Sequence, residues 1–245
     1  MRIRVFANPD ALGRALALDV ARRLADEPGS VLGLPTGRTP IPLYRELVQL
    51  CRAGRADFSR AVTFNLDEFL GLDPRDPRSY RAFMQRHLFD HINLPPRRIQ
   101  FLNGAARDVE RECRRYDRAI ERAGGIDLQI LGLGMNGHVG FNEPARALVA
   151  RTHCTRLKPA TRRANASLFD NRVSAVPREA LSMGMATILH AARIVLVATG
   201  ATKARCVQRT LEGPVTPRIP ASFLQLHRHV EVWVDRGAAG NLESP

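Results

Sequence analysis

Lysine is almost missing from this 245-residue chain: Lys158 and Lys203 are the only two among 37 basic residues, and the rest are arginines. Set against 24 acidic residues they leave a formal net charge of +13. The charge forms no basic block, because arginines and glutamates interleave through stretches such as Arg111 to Arg122. Nucleic-acid binding calls for clustered cations, so the pattern argues against nucleic acid and for a small anionic substrate. Cysteine is scarce and scattered, at Cys51, Cys113, Cys154 and Cys206, with no C-x-x-C pair and no histidines at zinc-finger spacing. That excludes a disulfide framework or a structural zinc site and fits reduced thiols. No run approaches the roughly 20 apolar residues that span a bilayer, and Met1 to Asn8 is not the apolar stretch of a signal peptide. The expectation is a soluble, cytoplasmic protein without a membrane partner.

Internal repeats and low-complexity linkers are absent as well. The length suits a single domain over residues 1–245 with a sizeable core.

What is present is an alternation of strands and helices. Ile3 to Ala7 reads as a strand and Pro9 to Asp26 as a helix; Val31 to Leu34 is a second strand, followed by a helix over Pro40 to Leu50. Further short apolar strands are expected at Ala61 to Asn65, Ile99 to Leu102, Leu128 to Leu131 and Ile194 to Ala198. Amphipathic stretches at Ser79 to His91 and Val109 to Ala123 separate them. This is the grammar of an α/β fold, a Rossmann-like domain whose mainly parallel open sheet is flanked by helices. Residues 145–177 break the pattern, with a strand near His153 to Thr155 and a polar helix from Thr161 to Asp170. They read as a lid or as a surface excursion. The tail after Asp235 is expected to fray.

Four strand ends carry chemistry, and a parallel sheet gathers such ends along one edge. Pro35-Thr36-Gly37-Arg38-Thr39-Pro40 joins a strand to a helix and forms an anion cradle; it lacks the spacing of a Walker loop. Phe64-Asn65-Leu66-Asp67-Glu68 places two acids at the next strand end. The glycine-rich run from Gly132 to Pro144 brings in Asn136, His138 and Glu143. Its Gly132-x-Gly134-x-x-Gly137 spacing matches a dinucleotide loop, but no helix pattern follows it. His138 and Glu143 are too far apart for one helical face, yet on a folded-back loop they form a proton-transfer pair. Lys203 follows the last of these strands and suits a phosphate or sugar oxygen. Cradle, carboxylate base, histidine–carboxylate pair and lysine together point to proton transfer on a phosphorylated small molecule, with no metal cluster or covalent nucleophile required.

Three of these stretches, Leu34 to Pro40, Thr63 to Phe69 and Gly134 to Pro144, closely resemble the glucosamine-6-phosphate deaminase and 6-phosphogluconolactonase family. The likeness covers nearly the whole chain, including Ser79 to Met84, Leu88 to His91, Asn103-Gly104 and Leu224 to His227. Lactonases continue the glycine loop as Gly-His-Thr-Ala-Ser, whereas here His138 leads into Val139-Gly140-Phe141-Asn142-Glu143-Pro144, so the resemblance is to the deaminase branch.

The resemblance implies an amino-sugar phosphate substrate, glucosamine 6-phosphate converted with water to fructose 6-phosphate and ammonia, and no redox cofactor. It implies Asp67 as the base at C2 and C1, and His138 with Glu143 as the ring-opening group oriented by Asn136. Gly37, Arg38, Thr39 and Lys203, with neighbouring Thr36, are implied around the phosphate. Two positions depart from the family. Arg38 stands where glycine or serine is common, and Ser167 where an arginine is usual. Either Arg38 replaces the missing cation from the opposite side, or the substrate is another amino-sugar phosphate. A lactonase, a non-catalytic sugar-phosphate sensor and a homo-oligomer remain alternatives open at this point. Arg146, Ala147, His153 and Thr155 do not match the effector pattern of the family's hexamers, so no activation by N-acetylglucosamine 6-phosphate is expected.

Overall fold

The computed structural model describes residues 1–242. The chain runs β1 (Arg2–Phe6), α1 (Pro9–Asp26), β2 (Val31–Leu34), α2 (Ile41–Arg52), β3 (Val62–Asn65), β4 (Asp67–Phe69) and α3 (Tyr80–His87). It continues through β5 (Ile99–Gln100), α4 (Val109–Arg122), β6 (Leu128–Gly132), β7 (His153–Arg156), α5 (Pro159–Asn165) and β8 (Glu179–Ser182). The last elements are α6 (Met185–Leu189), β9 (Arg193–Ala198), α7 (Ala204–Leu211) and β10 (Val230–Asp235). Helix starts follow local chemistry. Asn8 and Asp108 accept from the third N–H of α1 and α4 at 2.8 and 2.9 Å, and Pro9 occupies the first turn, where its missing donor is harmless.

Seven strands form an all-parallel sheet in the order β1-β10-β9-β6-β2-β3-β5. Alternate residues of each strand serve opposite faces: Val195 and Val197 join the core built with Leu16 of α1 and Leu47 of α2, whereas Ile194 and Leu196 join Tyr116 of α4, Ile188 of α6 and Val207 of α7. Gly13 lets α1 and α2 approach closely, since a Cβ there would strike Pro42. From β2 the chain winds outward through β3 to β5, then returns to β6 and winds the other way. The resulting crevice lies between β2 and β6, where open α/β sheets bind ligands.

Several elements differ from the sequence expectations. A second, antiparallel sheet of β4, β8 and β7 crosses the strand ends; β4 is three residues of acid and phenylalanine, which carry no alternating pattern. The expected helix over Ser79 to His91 stops at His87 and ends in a 3-10 turn at Phe89–His91. The polar helix in the irregular segment begins at Pro159 and passes into 3-10 geometry at Ala166 before Asp170 ends it with a φ of 53°. The tail beyond Asp235 is not frayed through Leu242: Ala238 is fully buried and donates to the Asp235 carboxylate at 2.8 Å. The rest of that expected fraying lies outside the described residues. No helix among the described residues is long and apolar enough to cross a membrane.

Candidate active site

A cavity of about 440 Å³ opens at the carboxyl ends of β2, β3, β6 and β9. Eight of the nine residues singled out in the sequence line it: Thr36, Gly37, Arg38, Thr39, Asp67, Asn136, His138 and Lys203. The ninth, Glu143, lies behind the wall and bonds to Asn136. Gly37 adopts a φ of 91°, a region open to glycine, and this turns the chain from β2 into α2 so that residues 36–39 form one wall.

The neighbouring acids Asp67 and Glu68 do different work. β4 is a strand, so their side chains point to opposite faces. The oxygens of Glu68 accept from the backbone N–H groups of Phe69, Tyr80 and Arg81 at 2.8 to 2.9 Å, securing the start of α3. Ser79 takes the next N–H of that helix at 3.0 Å, which completes the cap. Asp67 faces the cavity, held in the antiparallel ladder opposite Ser182. The Thr36 hydroxyl lies 3.4 Å from its Oδ1. Burial, reinforced by the charge of Glu68, raises the Asp67 carboxyl to about 8.

The glycine loop faces it. A Cβ on Gly134 would fall on the His138 ring, and Gly140 brings backbone against the base: a Cβ there would stand 3.0 Å from Ser182 Oγ and 3.7 Å from Asp67 Oδ2. The expected pair of His138 and Glu143 does meet, but at 3.8 Å from Nδ1 to Oε2, beyond a direct hydrogen bond. Asn136 ties Glu143 to the backbone of His138, while the ring Nδ1 itself has no hydrogen-bond partner among the described residues. Its Nδ2 donates to Glu143 Oε2 at 2.8 Å, and its Oδ1 accepts from the His138 backbone N–H at 3.2 Å. Glu143 Oε1 accepts from the backbone N–H of Lys158 at 3.2 Å, tying the loop to the residue before α5. Burial lowers the basicity of His138, partly opposed by Glu143 and assisted by Lys203, so the imidazole is neutral at pH 7.

Lys203 Nζ donates to the Leu133 carbonyl at 2.5 Å, which aims the ammonium across the cavity. Arg38 is exposed at the rim. Ser167 does not reach the cavity; Ala160, Thr161, Ala164 and Asn165 of α5 do. Sequence reasoning passed over Tyr80 and Asn165, which line the cavity and bond to each other at 2.8 Å. The signal for Tyr80 was its place in the first turn of a capped helix following an acidic strand; Asn165 had none beyond its polarity.

Nearly the whole chain has known counterparts. Residues 7–233 match the family model of glucosamine-6-phosphate isomerases and 6-phosphogluconolactonase. A glucosamine-6-phosphate deaminase of Halothermothrix orenii is 47% identical over 242 residues, covering 99% of this chain and 100% of the relative. One of Thermoanaerobacter sp. (strain X514) is 42% identical over 239 residues, covering 98% and 94%. Among solved structures, a monomeric glucosamine-6-phosphate deaminase superposes with a TM-score of 0.95 at 41% identity, covering 98% of this chain and 100% of its own. The 6-phosphogluconolactonase of Thermotoga maritima shares the fold at a TM-score of 0.75 and 19% identity, covering 96% and 98%. Matched over nearly its whole length by the family model, by curated relatives and by a solved structure of the same fold, the chain belongs to the glucosamine-6-phosphate isomerase and 6-phosphogluconolactonase family.

Proposed function

We propose that this protein is a glucosamine-6-phosphate deaminase, converting glucosamine 6-phosphate and water to fructose 6-phosphate and ammonia. The observation that carries the reading is the buried, cavity-facing carboxyl of Asp67, raised to about 8 opposite a neutral imidazole. A group poised near working pH suits removal of a carbon-bound proton.

His138, held by the backbone and backed by Asn136 and Glu143, moves the anomeric proton toward the ring oxygen and opens the sugar. Asp67 takes the C2 proton, giving an enolamine, and returns it to the adjacent C1. The C1 oxygen takes up a proton as the amino nitrogen gives one up, so the C1 aldehyde is reduced to an alcohol while C2 is oxidised to an imine, and protons and electrons balance within the sugar. Water then adds at C2 and ammonia leaves. Residues 36–39 and Lys203 hold the phosphate, with Arg38 supplying the cation that Ser167 does not. Residues 145–177 act as the lid, α5 excluding water while the enolamine exists.

The test is ammonia release from glucosamine, galactosamine and mannosamine 6-phosphates, with Asp67→Asn as control. Release from the glucosamine substrate that is abolished in the control is the expected result. Hydrolysis of 6-phosphogluconolactone without any ammonia release would overturn the reading.

A further inference from the structure

α5 borders two cavities. Ala160, Thr161, Ala164 and Asn165 line the catalytic one, whereas Pro159 and Arg162 line an open hollow of about 620 Å³ completed by Arg156, Leu157, Lys158 and Arg178. The two share no lining residue. Four of the six residues around the hollow are cations, and Lys158 is one of only two lysines in the chain.

Elsewhere the arginines are matched with acids, as in Arg23 with Glu27, Arg115 with Glu112 and Arg193 with Asp19 and Glu231. Here they are not. Among the described residues no carboxylate forms an ion pair with Arg156, Lys158, Arg162 or Arg178. Glu179 stands opposite Arg156 across the β7–β8 ladder and makes no ion pair with it. The backbone around the hollow is nevertheless fixed. Arg162 donates through Nε to the Val176 carbonyl at 3.1 Å and through Nη2 to the Val173 carbonyl at 2.7 Å, and the Leu157 N–H donates to the Arg178 carbonyl at 2.8 Å. The side chains of Arg156, Lys158 and Arg178 extend from this frame into solvent.

Unmatched like charges on a fixed frame suit an anion of several charges, and guanidinium groups pair side by side with phosphate or carboxylate oxygens. Leu157 and Pro159 supply the only apolar lining, and no aromatic ring is among the lining residues for a base to stack on. The ligand is therefore compact. Lys158 also connects the hollow to the catalytic loop: it immediately precedes α5, and its backbone N–H donates to Glu143 Oε1 at 3.2 Å.

We propose that Arg156, Lys158, Arg162 and Arg178 form a second anion site, outside the catalytic cavity, that takes a compact multivalent oxyanion, a polyphosphate or a polycarboxylate, and steadies Lys158 and α5 when filled. An effect on turnover rests on the reaction proposed above; the site itself does not.

The experiment is isothermal titration of the whole protein with inorganic pyrophosphate and, separately, with citrate. At least one binds, and the tighter of the two identifies the class of oxyanion. Arg156→Gln/Lys158→Gln/Arg178→Gln weakens binding about tenfold or more. Arg22→Gln/Arg52→Gln/Arg55→Gln removes the same charge from exposed positions toward the far ends of α1 and α2 and keeps the affinity within about twofold. Affinity unchanged in the first variant places the anion elsewhere, and an equal loss in both reduces the effect to net charge; either result, or no binding of either anion, would overturn the site. Hydrogen exchange reads the coupling without turnover. Filling the site slows exchange of the amides of Lys158 and α5 about threefold or more in the wild type and not in the first variant, and exchange unaltered by a bound anion would overturn the steadying of α5. A protein that binds the anion and releases no ammonia keeps the site and loses the proposed reaction.

Discussion

Gly134 lies against the imidazole of His138, so close that a methyl group on residue 134 would come within 2.3 to 2.4 Å of Nε2, Cδ2 and Cε1. The glycine at this position thus fixes where the ring sits. Gly134→Ala pushes the imidazole out of line while the buried strands remain intact. The expected loss in kcat is about 100-fold, in keeping with the contribution of a positioned acid–base group. Thermal unfolding of the variant separates this from a loss of fold: a melting temperature that falls in step with activity would contradict it.

The Asp67 carboxyl links activity and stability to pH with opposite signs. Its folded pKa of about 8 lies far above that of an unfolded aspartate. Between about pH 4 and pH 8 the native state therefore holds the extra proton, and stability falls as pH rises through that window. The base form grows in over the same upper range, so kcat/KM rises toward pH 8. Asp67→Asn abolishes turnover and is more stable than wild type, by about 1–4 kcal/mol at pH 8 and by little at pH 4. Denaturant titrations at the two pH values check this, and an equal difference at both would refute it.

Asn136 bonds both Glu143 Oε2 and the backbone N–H of His138, holding the loop that carries the imidazole 3.8 Å from Glu143. Asn136→Leu removes both bonds and leaves a buried carboxylate oxygen without its donor. A fall in kcat of about 10- to 100-fold is expected with KM little changed. A rise in KM alone would instead assign Asn136 to substrate binding.

Arg38 is exposed, so its attraction for a phosphate is screened and modest. Arg38→Gly should raise KM for glucosamine 6-phosphate about three- to tenfold with kcat preserved, and the difference should shrink in high salt. An unchanged KM would show that Thr36, Gly37, Thr39 and Lys203 hold the phosphate unaided.

The main sheet was legible because buried parallel strands read as short apolar runs between glycines and prolines, and Val31–Leu34 and Leu128–Gly132 are of that kind. β10 was not recognised although it is nearly as buried: Glu231, paired with Arg193, interrupts its apolar run. Of the second sheet only β7, near His153 to Thr155, was expected, and β4 was invisible for a different reason. Asp67–Phe69 is a strand because Leu181 and its neighbours pair with it from more than a hundred residues away, which no local pattern records. The site residues announced themselves through chemistry and spacing, but not their division of labour. Nothing in adjacent acids tells that one caps a helix while the other faces the cavity; the direction of the pleat decides it.

β10, the last strand among the described residues, lies between β1 and the rest of the sheet. β1 therefore has no partner until Val230–Asp235 has been synthesised and has docked beside β9. During translation the amino-terminal strand waits through almost the whole length of the protein, and its closure is among the longest-range pairings the chain makes. Closure of the sheet thus waits for β10, and a nascent chain stopped just short of Val230 holds the residues of the cavity wall but an open sheet, with Val195 and Val197 along the exposed edge.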